Sequence, residues 1–138
     1  MDEKASRSCC PISLALDILG DKWTLLVIRD LVFLRKRHFK DFQSSPEKIA
    51  TNILSNRLKM LECAGIISRK TDPENARQVV YDLTDKGIDL IPMLVEMILW
   101  GTKYDQRSAA PPAVIKRIKK DRKGYLAELQ KKLKSDRD

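Results

Sequence analysis

The chain has 138 residues, 43% of them apolar, a length and content that fit one domain with a real core and exclude wholesale disorder. No apolar run reaches the roughly 18 residues of a membrane helix, and the start MDEKASRSCC lacks a hydrophobic signal segment, so a cytoplasmic protein is expected. The net charge of +8 is uneven: residues 113–138 hold 10 Lys and Arg against 4 Asp and Glu, whereas residues 1–112 hold 17 against 15.

Pro11 and Ser13 mark the start of a short helix carrying Leu14, Ala15, Ile18 and Leu19, which Gly20-Asp21 stops. The Asp21 carboxylate can accept orphan backbone N–H groups and cap a second helix over about 22–34. There Trp23, Leu26, Val27, Asp30, Leu31 and Leu34 follow the helical period, and the apolar members form a core stripe. Arg35-Lys36-Arg37-His38 breaks the pattern. Phe39 to Phe42 then reads as the first turn of a short helix with both rings inward, and Ser44-Ser45-Pro46-Glu47 as a turn or a new helix start.

The next helix spans about Ala50 to Cys63. With Thr51 at 0° and about 100° per residue, Thr51, Asn52, Ser55, Asn56 and Lys59 fall within an arc of roughly 140°. Ala50, Ile53, Leu54, Leu58, Met60 and Leu61 occupy the other side. Arg57 lies on that inner side, so it either snorkels outward or pairs with an acid. Gly65 closes the helix, because glycine tolerates positive φ. Ile66–Lys70 and Val79–Leu83 read as paired strands, with Asp72-Pro73-Glu74-Asn75 between them as a loop longer than a tight hairpin needs. Thr84 caps a long helix over about 85–104 that Pro92 can kink. Its wide apolar surface suggests burial against another subunit. Ala109-Ala110-Pro111-Pro112 is a hinge before a basic helix over about 114–134.

This order predicts a mainly α fold with a small β-hairpin wing: a winged helix-turn-helix with a long C-terminal dimerisation helix. The expected division is an arm at 1–11, the DNA-binding domain at 12–106 with its dimerisation helix at 85–104, and a basic extension at 113–135. A helix fits the major groove, where its side chains meet base edges. Asn52 and Asn56, one turn apart, can each contact adenine bidentately, Thr51 and Ser55 can reach bases or phosphates, and Lys59 suits phosphate. Arg77 is the best wing contact, although Asp72 and Glu74 would resist close approach to phosphates. The competing reading of the polar face is an ordinary solvated helix.

Other chemistry finds little support. Three cysteines cannot all pair within one chain, their spacing gives no zinc pattern, and His38 is alone, so no metal or cofactor is expected. His38 reads as a turn or phosphate-contacting residue, Cys63 as core beneath the recognition helix, and Trp23 and Trp100 as core and dimer packing. No nucleophile–base spacing and no phosphate-cradling glycine loop point to an enzyme. The rival from another class is a non-specific nucleic-acid-binding protein relying on the basic C-terminal helix.

The segments Cys10-Pro11, LDILGDKWTLLVIRDL (16–31), FKDF (39–42), LSNRLKMLECAGII (54–67) and VYDLTDKG (80–87) resemble the HxlR family of transcriptional regulators, itself related to the MarR-like regulators. The resemblance covers about residues 9–104. It implies a homodimer, paired through N-terminal and long C-terminal helices, on a pseudo-palindromic double-stranded operator. It also implies that Arg57 and Lys59 are the recognition helix's basic positions and Arg77 the wing arginine. Ser13 stands where members often have an acid, and a local change of capping is expected there. Some members sense oxidants or electrophiles through a cysteine matching Cys10. With Cys9 beside it, an oxidant or small-molecule signal is the implied partner, and inert thiols are the alternative.

Overall fold

The computed structural model describes residues 7–138, so the first six residues of the expected arm lie outside the described residues. The chain forms two compact units, one ending at Asp82 and one spanning Leu83–Asp138.

The first unit contains α1 (Pro11–Leu19), α2 (Thr24–Phe33), α3 (Phe39–Gln43), α4 (Thr51–Cys63) and a two-stranded sheet of β1 (Ile67–Asp72) and β2 (Asn75–Leu83), whose last residue begins the second unit. Pro11 sits in the first turn of α1, where its missing N–H costs nothing. Cys10, not Ser13, holds the cap position there, and no side chain caps the helix. Asp21 starts α2 as expected: its Oδ1 accepts the N–H groups of Trp23 at 2.8 Å and Thr24 at 3.0 Å, and its Oδ2 accepts the Thr24 hydroxyl. Helix α4 packs on α2, α3 and β1. It presents buried Leu54, Leu58 and Leu61, and neighbouring elements contribute Val27, Ile28, Leu31 and Phe42 to the core. Gly65 at φ 74° ends α4, and the Ile66 N–H returns to the Leu61 carbonyl at 3.0 Å.

Three expectations fail here. Leu34 is exposed, and Phe39 is only half-buried while Phe42 is buried. The helix stops at Phe33, so the apolar period of α2 no longer governs where Leu34 points. The wing is also longer than the sequence suggests. Pairing continues through Lys70-Thr71-Asp72 and resumes at Asn75, so only Pro73-Glu74 turns the chain. Side-chain oxygens support this tight turn: Asp72 Oδ1 accepts the Glu74 N–H at 2.9 Å, and Asn75 Oδ1 accepts the Arg77 N–H at 3.1 Å.

The second unit contains α5 (Asp85–Ile88), α6 (Ile91–Tyr104), α7 (Pro112–Lys120) and α8 (Arg122–Arg137). Thr84 caps α5, accepting the Gly87 N–H at 3.3 Å. The expected continuous helix over 85–104 is interrupted at Asp89-Leu90, which places Pro92 in the first turn of α6 instead of inside a helix. The expected basic helix is likewise two helices. Asp121 leaves helical geometry at φ −147°, ψ 77°, and its side chain accepts the Gly124 N–H at 3.0 Å to start α8. Any side chain at position 124 would collide with that carboxylate. Helix α8 packs on α7 and α6, with Ile118 of α7 buried. Among the described residues, no helix is long and apolar enough to cross a membrane.

Candidate nucleic-acid interface

Helix α4 separates two kinds of side chain. Thr51, Asn52, Ser55, Asn56 and Lys59 are exposed, while Leu54, Leu58 and Leu61 on the opposite face are buried. Gln43 at the end of α3 donates to the Thr51 hydroxyl at 3.1 Å, which ties the first turn of α4 to the preceding helix.

Arg57 takes the acid-paired option. Its Nε donates to Asp21 Oδ1 at 3.0 Å, and its Nη1 donates to Asn56 Oδ1 at 2.5 Å. The Arg57 side chain is 25% exposed. One guanidinium thus spans the cap of α2 and a polar side chain of α4. Burial pulls the Asp21 carboxyl upward, but hydrogen bonds from the Thr24 hydroxyl, the Trp23 N–H, Arg57 and the Thr24 N–H outweigh it. They hold the group at about 2, below its ordinary 3.8.

A second clamp fixes the turn between α3 and α4. Arg29 on α2 reaches Glu47 through two bonds of 2.7 and 2.8 Å and contacts buried Asp30 at 2.9 Å. Asp30 also accepts the Ser45 hydroxyl, and Lys36 donates to Ser45 Oγ at 2.9 Å. The Arg29 bonds lead the effects that hold the Glu47 carboxyl below its usual range. Lys48 beside it takes φ 55°, a left-handed conformation uncommon outside glycine.

The wing is moored from the segment before α3. Arg37 binds buried Asp82 of β2 through bonds of 2.9 and 3.0 Å, and its carbonyl accepts the Tyr81 N–H at 2.9 Å. His38 has its Nε2 2.9 Å from Asp72 at the end of β1 and its Nδ1 3.4 Å from Asp41 of α3. Both ring nitrogens therefore face carboxylates, and His38 sits at the bend that leads into α3, in keeping with the expected turn position. The Glu74 N–H and then His38 depress the Asp72 carboxyl. Arg77 is exposed on β2.

The three cysteines are exposed. For Cys63 this reverses the expectation of a core thiol: twelve positions beyond Thr51 it lies at about 120° on the helical wheel, within the arc of the polar residues. Cys10 precedes α1, and its carbonyl accepts the Leu14 N–H at 2.9 Å. Trp23 is half-buried beneath Lys22, whereas Trp100 is 70% exposed and lies against Tyr104.

The ion pairs are what sequence reading missed. Asp21, Arg29, Arg37 and Asp82 lie 18 to 45 positions from their partners, beyond any helical or strand period. The one available signal was Arg57, a charge on an otherwise apolar arc.

Comparison with known proteins matches residues 18–109 to the HxlR-like helix-turn-helix family. The chain belongs to that family. The uncharacterized HTH-type transcriptional regulator YvaP of Bacillus subtilis (strain 168) is 34% identical over 99 residues, 72% of this chain and 91% of YvaP. The reduced form of the transcriptional regulator YodB from B. subtilis superimposes with a TM-score of 0.57 at 29% identity, over 73% of this chain and 98% of YodB. The redox regulator HypR in its oxidized form gives 0.62 at 29% identity, over 70% of this chain and 98% of HypR. This HxlR-like protein is a DNA-binding transcriptional regulator with a winged helix-turn-helix.

Proposed function

We propose that the protein binds a pseudo-palindromic operator as a homodimer, with α4 of each protomer entering the major groove. The observation that carries this reading is the exposed face of Thr51, Asn52, Ser55, Asn56 and Lys59 on a helix whose other face is core. Asn52 and Asn56 contact base edges, Thr51 and Ser55 contact bases or phosphates, and Lys59 contacts phosphate. Arg57 serves mainly through position: its bond to Asp21 sets the rotation of α4, and its bond to Asn56 orients that carboxamide. Arg77 meets the backbone beside the groove, away from the acidic turn at Glu74. Dimerisation is supported by two apolar faces open to solvent, Ile12 and Leu16 on α1 and Met97, Trp100 and Tyr104 on α6. Half-sites then lie about 34–36 Å apart.

Fluorescence anisotropy on the region upstream of the gene, against scrambled DNA, tests this. Asn56→Ala should change base preference, and Lys59→Ala should weaken all sequences alike. Equal loss on every DNA for both variants would remove α4 as the reading element.

A redox response through Cys10, with Cys9 beside it, is the second reading. It is supported by the exposure of both thiols before α1 and by the likeness to YodB and HypR. Diamide should change operator affinity in the native protein and leave Cys10→Ser unaffected. An identical response in both would end it.

A further inference from the structure

The α7–α8 hairpin lies beyond residue 109, where the family match ends. Its charges divide by residue type. Arg117 pairs with Glu128, Arg122 with Glu96 of α6, and Arg137 with Asp85 at 3.0 Å. The hairpin's acids are engaged as well: Asp121 caps α8, Asp138 lies 3.6 Å from Arg137, and Asp136 has a partner of its own. The lysines differ. Lys116, Lys119, Lys120, Lys123, Lys131, Lys132 and Lys134 are all exposed, and none pairs with a carboxylate among the described residues.

The lysines are also ordered. On α7, buried Ile118 and half-buried Val114 and Ile115 turn inward, leaving Lys116, Lys119 and Lys120 outward. On α8, half-buried Leu126, Leu129 and Leu133 turn inward, and exposed Lys123, Lys134 and Lys131 share one arc of roughly 80° beside them. Lys123 and Lys134 stand about 16 Å apart along the axis. That length covers about five phosphates of one DNA strand. The arginines fix the hairpin, and the lysines are left as mobile, strongly hydrated point charges suited to a uniform row of phosphates. No large apolar or aromatic side chain is exposed on α7 or α8. The surface thus lacks the stacking platform of a single-strand binder and the apolar face of a membrane-surface helix.

We propose that the α7–α8 hairpin is a second, sequence-independent contact surface for the phosphates of duplex DNA. It adds affinity without base preference, so it acts independently of whether α4 reads an operator.

The test uses the full chain and a scrambled 30-base-pair duplex, with anisotropy followed from about 50 to 200 mM salt. The variants are K116Q/K119Q/K120Q and K123Q/K131Q/K134Q, with K22Q/K86Q/K103Q as a control of equal charge change outside the hairpin. Each hairpin triple should flatten the slope of log affinity against log salt by about 2–3, and weaken binding about ten- to a hundredfold at low salt. Circular dichroism melting should be unchanged, and the matching Lys→Arg triples should restore the slope. An unchanged slope, or the same change in the control triple, would overturn the proposal. So would hairpin-dependent binding to phosphatidylserine vesicles that exceeds binding to the duplex. Because the probe contains no operator, failure of the sequence-specific reading leaves this result interpretable.

Discussion

The first unit and the C-terminal hairpin are both rich in basic side chains, but they use them differently. Arg29, Arg37 and Arg57 each bond to a carboxylate on another element, and each bond sets the position of a part of the winged helix: the turn before α4, the wing, and α4 itself. In the hairpin three arginines do similar structural work, while seven lysines face solvent. A planar guanidinium on a carboxylate fixes geometry, and an ammonium on a flexible stem supplies charge. Net charge alone hides this division, because both kinds count as +1.

Removing a fixing arginine should have the largest effect. Among the described residues, Arg37→Ala leaves the Asp82 side chain, 8% exposed, with Lys70 at 3.9 Å as its remaining cation. We expect a loss of about 2–3 kcal/mol, read as a lower urea midpoint at constant slope. A single Lys131→Ala should stay within about 0.5 kcal/mol. Equal losses would erase the distinction between fixing and free charges.

Acid should loosen the first unit next. The Asp21 carboxyl is held at about 2 against an ordinary 3.8, so its ionised form stabilises the fold above pH 3.8. That contribution, about 1–2 kcal/mol, is lost as pH falls through about 2. Asp21→Asn should flatten this part of the stability profile, and an unchanged profile would mean the cap does not respond to charge.

In the hairpin the sensitive position is a glycine. Gly124→Ala pushes against the Asp121 cap, and we expect a loss of about 1 kcal/mol confined to α8, visible as faster amide exchange there. The smallest effect belongs to Lys48→Gly, which relieves a positive φ at the cost of a freer unfolded chain. A gain of about 0.5 kcal/mol in the urea midpoint is expected, and a loss would mean that Lys48 makes a compensating contact.

The helices of the first unit were legible because Leu54, Leu58 and Leu61 repeat at helical spacing and Asp21 and Gly65 punctuate the chain. The wing's outer half was not, because Arg69 to Gln78 hold no apolar alternation; backbone pairing alone extends that ribbon. The breaks at Asp89-Leu90 and Asp121 were missed for a related reason. Apolar periodicity continues across both, and only the needs of Pro92 and the side-chain cap at Asp121 reveal them. The polar face of α4 and an acid partner for Arg57 were open to sequence reading, but Asp21 as that partner was not.

The separation of duties along α4 bears on how such a protein can change. The side chains of Asn52, Ser55 and Lys59 are exposed and hold no hydrogen bond or ion pair among the described residues, whereas Arg57 between them anchors the helix. Drift at positions 52, 55 and 59 therefore carries little folding penalty, and a library randomised there should yield mostly folded members. New operator preferences can arise by point mutation without a prior stabilising step, provided position 57 is left alone.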